Sequence, residues 1–251
     1  MPKILLIGGS DGSCGAGLFA DYQTLNDLGS SANVVITSVT SQTDELFVES
    51  HTIPQRCIES QIDVGLAKNY DAIKIGMLPC LGAVKTVSEY VVGVGMKKVV
   101  LDPVFQSSSG GSLCSIEAFE EMKNMLFGKV DLLTPNLVEA RLILGLKNEV
   151  QMELEEMALR CLEFGSKAVL LKGGHLDGNF CMDVFVERDN PNSTLVFKRS
   201  KLSEGTSVRG TGCRLASAIT HFYAQGRELR VAVSQGIEFL QNYLKKKLEV
   251  S

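Results

Sequence analysis

The sequence predicts an α/β fold, with a central, mostly parallel sheet flanked by helices on both faces and a short antiparallel hairpin at one edge. Short β-branched runs alternate with longer amphipathic stretches, the rhythm of βα units that feed a parallel sheet. The apolar runs also end in glycines or polar residues, where sheets of this kind gather their ligands. A chain of 251 residues, 45% of them hydrophobic, buries ample core for such a domain. No internal repeat, low-complexity tract or Pro/Ser/Gly linker divides it, so residues 1–251 read as a single domain.

Each element follows in turn. "KILLIGGS" (Lys3 to Ser10) is a first strand ending in glycines, and "AGLFADYQTLNDLG" is a helix closed by Gly29. "NVVITSVTSQ" and "FVESHTI" are strands. "PQRCIESQIDVGLAKN" opens with a proline suited to a helix's first turn, and Ile58, Ile62 and Leu66 recur at helical spacing. The strands "DAIKIGM", "KKVVLDP" and "DLLTPN" follow, each separated from the next by a helix, then the helix "MELEEMALRCLEFG" and the buried strand "SKAVLLKGGH". "FCMDVFVERDNPNSTLVFKRSKL" breaks the rhythm; it predicts the edge hairpin, with Asp189 to Ser193 as its turn. A "GTGC" segment and two helices complete the chain.

The totals exclude several classes. A formal charge of −4 argues against a nucleic-acid surface, and the basic cluster Lys245 to Lys247 falls in the last turns of a helix, where cations complement the dipole. The seven cysteines are odd in number and show no paired spacing, so most are expected to be buried thiols in a reducing compartment. The opening "MPKILLIGGSDG" has too short an apolar run for a signal peptide, and no stretch reaches the roughly 18 apolar residues of a membrane span. The expectation is a soluble cytoplasmic protein with neither nucleic-acid nor membrane partners.

Five places carry chemistry-bearing residues. Gly210 and Gly212 flank Thr211 at the mouth of a helix, either as a plain glycine turn or as a concavity of main-chain N–H groups for an anion. Cys213 follows, where a helix N-terminus is expected to favour the thiolate. "GGSDGSCGAG" (Gly8 to Gly17) lacks the spacing of a Walker loop; its glycines either let backbone approach a small or flat substrate or simply form a turn. Lys172, ending a buried strand before two glycines, either counters phosphate charge or snorkels along the sheet. Asp102 lies just beyond an apolar strand, and Glu139 stands three residues after Asn136. Glu139 is either the N3 residue of a capping box or a carboxylate facing Mg²⁺ and its waters. Together they describe a crevice at the carboxyl edge of a parallel sheet suited to phosphoryl transfer. The histidines read as bystanders: His51 and His221 on element surfaces without partners, His175 holding a turn.

In sequence order, "GGSDGSCGAGLFAD", "VITSVTSQ", "AIKIGML", "VVLDPV", "LLTPNLVEA", "AVLLKGGHL" and "GTGCRLASAI" resemble the hydroxymethylpyrimidine/phosphomethylpyrimidine kinases of thiamine biosynthesis, within the ribokinase-like superfamily. The resemblance runs from about Ile4 to about Ile219. It implies an ATP- and Mg²⁺-dependent kinase acting on 4-amino-5-hydroxymethyl-2-methylpyrimidine and then on its monophosphate, and a homodimer. It also implies that Gly210, Thr211 and Gly212 form the anion hole, with Cys213 as catalytic base. Gly9, Asp21, Gln42 and Met77 would bind the pyrimidine. Gln42 and Asp21 are the donor and acceptor types an aminopyrimidine edge requires, and Met77 either offers a pliable surface to the ring or fills core. Lys172, Thr134, Asn136 and Arg209 would serve ATP, and Asp102 and Glu139 would lie near the metal.

The chain departs from the family pattern at several positions. Arg209 stands where histidine usually precedes GTGC, Ser108 replaces a flap lysine, Cys14 takes a glycine's place, and Thr43 follows Gln42 where asparagine is usual. Pyridoxal kinase, which generally carries aspartate in the cysteine's place, is the nearest alternative. A catalytically inactive pyrimidine-binding protein of the same fold is another, motivated by Ser108.

Overall fold

The computed structural model describes residues 1–43, 45–66, 69–93, 95, 98–107, 110–147, 150–174, 180–200 and 208–250. Their order is β1 (Lys3–Asp11), α1 (Gly17–Asp27), β2 (Ser31–Gln42), β3 (Phe47–Thr52), α2 (Gln55–Leu66), β4 (Ala72–Ile75), α3 (Leu81–Gly93), β5 (Val99–Leu101), α4 (Ile116–Met125) and β6 (Leu132–Leu133). Then come α5 (Leu137–Leu144), α6 (Leu154–Leu162), β7 (Ala168–Gly173), β8 (Phe180–Glu187), β9 (Leu195–Ser200), α7 (Thr211–Ala224) and α8 (Leu229–Val250).

One nine-stranded sheet runs in the order β3-β2-β1-β4-β5-β6-β7-β8-β9. From β2 to β7 every pairing is parallel, whereas β3, β8 and β9 pair antiparallel. The expected edge hairpin is therefore present as β8–β9, and a second antiparallel strand, β3, closes the opposite edge. The short link from Gln42 to Phe47 leaves β3 no choice, because a parallel return needs a crossover of a dozen or so residues.

The parallel strands are buried on both faces, and their side chains divide with the expected period of two. Leu5 and Ile7 of β1, with Val99, Leu101, Val169 and Leu171, join the core beneath α2 to α6. Ile4 and Leu6 turn to the other face, against Leu18 and Leu25 of α1. There Val100, Leu132, Ala168 and Leu170 meet Leu215, Ala216 and Ile219 of α7 and Val233 and Ile237 of α8. Helices thus cover both faces. The sheet order reverses between β1 and β4, and at such a switch point the loops after neighbouring strands diverge and open a crevice at their carboxyl ends.

Candidate active site

Two glycine-rich segments meet in that crevice. The register of β1 against β2 shifts between Gly8 and Gly9, and a Cβ on Gly9 would stand 2.5 Å from Met77 Sδ, so the bare strand end lies close against that thioether as it is placed. Gly210, the N-cap of α7, has φ +70°, and a Cβ there would stand 2.3 Å from the Gly15 carbonyl oxygen. The GTGC turn is therefore seated directly on the first loop. Among the described residues nothing accepts a hydrogen bond from the amides of Thr211, Gly212 or Cys213, as expected for the first turn of a helix that carries its positive dipole end there. A Cβ on Gly212 would lie 3.1 Å from Lys172 Nζ and 3.8 Å from Asp102 Oδ2, so the bare backbone admits a charged pair beneath the helix entrance.

Those charges form a buried chain. Asp102 Oδ1 accepts from Lys172 Nζ at 2.7 Å and from Thr134 Oγ1 at 3.0 Å. Burial pushes the Asp102 carboxyl up, but Lys172, Lys74 and these hydrogen bonds outweigh it and hold its pKa below the ordinary value. Lys172 is raised, burial being outweighed by Asp102 and Glu139. The capping box at the start of α5 is complete: Asn136 Oδ1 accepts from the Glu139 amide at 2.9 Å, and Glu139 Oε2 accepts from the Asn136 amide at 2.8 Å. Glu139 also opens onto the cavity, so cap and site coexist. Burial lifts its carboxyl to about 7 against the opposing pull of Lys172.

Deeper in, Asp21 Oδ2 accepts from Lys74 Nζ at 2.7 Å and Asp21 Oδ1 from Ser217 Oγ at 2.8 Å. Burial raises Asp21, while Lys74 is raised because the Asp21 and Asp102 carboxylates outweigh its own burial; the 2.7 Å contact is that of an ion pair. The thiol of Cys213 is pushed up to about 11 by burial, which Lys74 only partly opposes. Withdrawal of the thiol from water, with Asp21 and Asp102 nearby, thus runs against the thiolate expectation.

These groups border a cavity of about 700 Å³. Gly9, Gln42 and Met77 line it. Gln42 Nε2 donates to Thr40 Oγ1 at 2.9 Å, and its Oε1 is buried with no partner among the described residues, leaving an acceptor for a ligand's N–H. Arg209 lines the same cavity and also ties two of its loops together. Its guanidinium donates to Asp11 Oδ2 at 3.1 Å, Ser13 Oγ at 3.2 Å and the Thr43 carbonyl at 2.7 Å, which pins the first glycine loop to the end of β2 beside Gln42. Cys14 in that loop holds φ +60°, where glycine is at ease.

Other expectations shift as well. Lys245 is more than a dipole partner, since α8 lines the cavity with Leu240, Leu244 and Lys245, an i, i+4, i+5 face no local motif announced. His221 is buried, with Nδ1 2.7 Å from Ser30 Oγ and Nε2 3.0 Å from Gln225 Nε2, because its helix face packs inward. Of the seven cysteines, all free, Cys114 and Cys161 are buried as whole residues, Cys80, Cys181 and Cys213 are partly buried, with the Cys213 thiol turned inward, and Cys14 and Cys57 are exposed. Lys74 escaped notice, although a lysine inside the apolar run "AIKI" signals a buried countercharge. Ser108 and His175 lie outside the described residues.

A family model described as phosphomethylpyrimidine kinase matches residues 11–251. The hydroxymethylpyrimidine/phosphomethylpyrimidine kinase of Aquifex aeolicus is 34% identical over 243 residues, covering 96% of this chain and 93% of that protein. The crystal structure of a phosphomethylpyrimidine kinase from Clostridium difficile 630 superposes with a TM-score of 0.83 at 31% identity, covering 97% of this chain and all of the other. The pyridoxal kinase from Staphylococcus aureus in complex with ADP superposes with a TM-score of 0.86 at 27% identity, covering 96% and 87%. On the family match over residues 11–251 and the 34% identity across nearly the whole chain, the chain belongs to the phosphomethylpyrimidine kinase family, a group of ribokinase-like phosphotransferases.

Proposed function

We propose that the chain transfers the terminal phosphoryl of ATP to the hydroxymethyl group of 4-amino-5-hydroxymethyl-2-methylpyrimidine, and then phosphorylates the monophosphate to the diphosphate. The observation that carries this reading is the meeting, at one helix entrance, of the uncommitted amides of Thr211 to Cys213 with the Lys172 ammonium, across the cavity from the unpartnered oxygen of Gln42. The amides would cradle the transferred phosphoryl, where preorganised donors act in a water-poor site. Lys172 would neutralise phosphate charge. Gln42 Oε1 would accept from the exocyclic amine of the pyrimidine, with Met77 against the ring and the Gly9 backbone beside it. Asp21, both of whose oxygens already accept internal hydrogen bonds, would meet the ring through their remaining lone pairs. Asn136 and Thr134 would act on the nucleotide side by fixing Glu139 and Asp102. Arg209 would act indirectly, through the loop it pins.

Magnesium fits the donor set. Asp102 Oδ1 is occupied by Lys172 and Thr134, but no described group donates to Oδ2, and Glu139 opens onto the same cavity. Among the described residues no cluster of three or more ligating side chains is present; a Mg²⁺ held by one or two carboxylates and the substrate's phosphates needs none. When bound it would neutralise charge on the phosphoryl oxygens. The Cys213 thiol would stand beside the attacking oxygen, entering the cycle protonated. We further propose that the chain works as a single-domain unit in a cytoplasmic homodimer; among the described residues no helix is long and apolar enough to cross a membrane.

Pyridoxal phosphorylation is the second reading, favoured by the overlay on the Staphylococcus aureus enzyme. One assay separates the readings. Purified protein with Mg²⁺ and ATP is offered the pyrimidine alcohol or pyridoxal, and the phosphates added per molecule are counted by mass spectrometry. Two phosphates on the pyrimidine are expected. Turnover of pyridoxal alone overturns the assignment, a single phosphate removes the second step, and ligand binding without ATP consumption favours the inactive alternative.

A further inference from the structure

We propose that Lys74 is a further catalytic group, whose ammonium donates a hydrogen bond to the oxygen that attacks the phosphoryl and stabilises it as negative charge develops there. This rests on the kinase reading above. The side chain is 1% exposed yet opens onto the cavity. Of its three N–H donors, one is held by Asp21 Oδ2 at 2.7 Å, and among the described residues no second acceptor lies within reach. A buried ammonium with open donors is costly unless something in the site completes its shell.

Its surroundings aim it at the reacting end. A Cβ on Gly76 would stand 2.9 Å from Lys74 Nζ, so the missing side chain at that position leaves the ammonium uncapped on the cavity floor. Asp21, which fixes Nζ, is itself fixed by Ser217 of α7 at 2.8 Å. Ser217 lies four residues after Cys213 on the same helix, and such residues share one face. The pair therefore sits one turn beneath Cys213 and the open amides. Asp21 and Asp102 face the ammonium with negative charge, and Lys172 is the nearby cation on the far side of Asp102.

The step balances without a thiolate. A bond forms between the hydroxymethyl oxygen and the γ-phosphorus while the γ-phosphorus to bridging-oxygen bond breaks, its electron pair leaving on ADP. The hydroxyl proton passes to a non-bridging oxygen of the γ-phosphoryl ahead of bond formation, so the attacking oxygen carries the negative charge that the ammonium meets, and the proton is lost to solvent from the product. Lys74 remains protonated throughout.

The test compares wild type with Lys74→Ala in the full chain, using the pyrimidine alcohol and MgATP, with and without propylammonium. Loss of one donor to developing charge predicts a fall in kcat of about 10²–10³-fold. The KM for ATP should hold within about threefold, and propylammonium should restore kcat at least tenfold, because the interaction lost is one made in the transition state. A purely structural lysine would give neither the split nor the rescue. Should Lys74→Ala not fold, Lys74→Met combined with Asp21→Asn removes both charges together and is read by kcat at saturating pyrimidine. A folded variant within about tenfold of wild-type kcat overturns the proposal, since general losses of a charged donor exceed this. An inactive wild type instead overturns the kinase reading, and this proposal with it.

Discussion

The seating of one glycine turn on the other is testable through Gly210→Ala. At φ +70° an alanine sits in the left-handed region, at a cost of about 1–2 kcal/mol. Its Cβ would also stand 2.3 Å from the Gly15 carbonyl oxygen and 2.9 Å from Ala16 Cα, both backbone atoms that cannot swing aside. Reaching ordinary contact requires the two loops to part by about 1 Å, an overpacking cost of about 1–3 kcal/mol. The sum, about 2–5 kcal/mol, lowers Tm by roughly 5–15 °C for a chain of this size. Parting the loops also moves the open amides relative to the substrate end, and a 1 Å misplacement costs about 10²-fold in kcat. Gly226→Ala is the control: its φ is +88° but nothing lies within 4 Å of the added Cβ, so it carries the left-handed cost alone, about 1–2 kcal/mol, and leaves kcat intact. Differential scanning calorimetry and steady-state kinetics on both variants decide the matter. If Gly210→Ala melts with Gly226→Ala and keeps wild-type kcat, the loops need not touch and the account of the site is wrong.

Two further outcomes concern cysteines. With its thiol raised to about 11, Cys213 in the free enzyme should react slowly with iodoacetamide at pH 7 and quicken about tenfold per pH unit up to pH 10, as the thiolate fraction grows. Peptide mapping by mass spectrometry reads the rate, and a flat profile from pH 7 to 9 would reveal a thiolate already present. Cys14→Gly should stabilise the protein: relief of the left-handed strain at φ +60°, about 1–2 kcal/mol, exceeds the added freedom of the unfolded glycine, about 0.5–1 kcal/mol. A rise in Tm of about 1–4 °C is expected, and a fall would show that the side chain contributes packing.

Much of the fold was legible because its signals are local. The β-branched runs, the proline before α2, Gly29 with φ +80° after α1 and the Asn136 to Glu139 capping box each act within a few residues, and each appears as read. The glycines of GTGC could be recognised as a bare backbone, though not what they were bare for; that needed the positions of Gly15, Lys172 and Asp102. The direction of β3 was not legible in its own residues, since strand orientation follows from the length of the link.

By itself the sequence determined the alternation of elements, the placing of polar residues at strand ends and the motif order that assigns the family. Tertiary structure alone decided the electrostatics. Asp21 pairs with Lys74 across 53 positions and Asp102 with Lys172 across 70, while Arg209 reaches back across 198 to Asp11. Charge interactions depend on distance in space and on exclusion of water, neither of which is written in spacing along the chain. For the same reason the raised Cys213 thiol was not legible: the helix start is visible in the sequence, and the burial that pushes the thiol up is not.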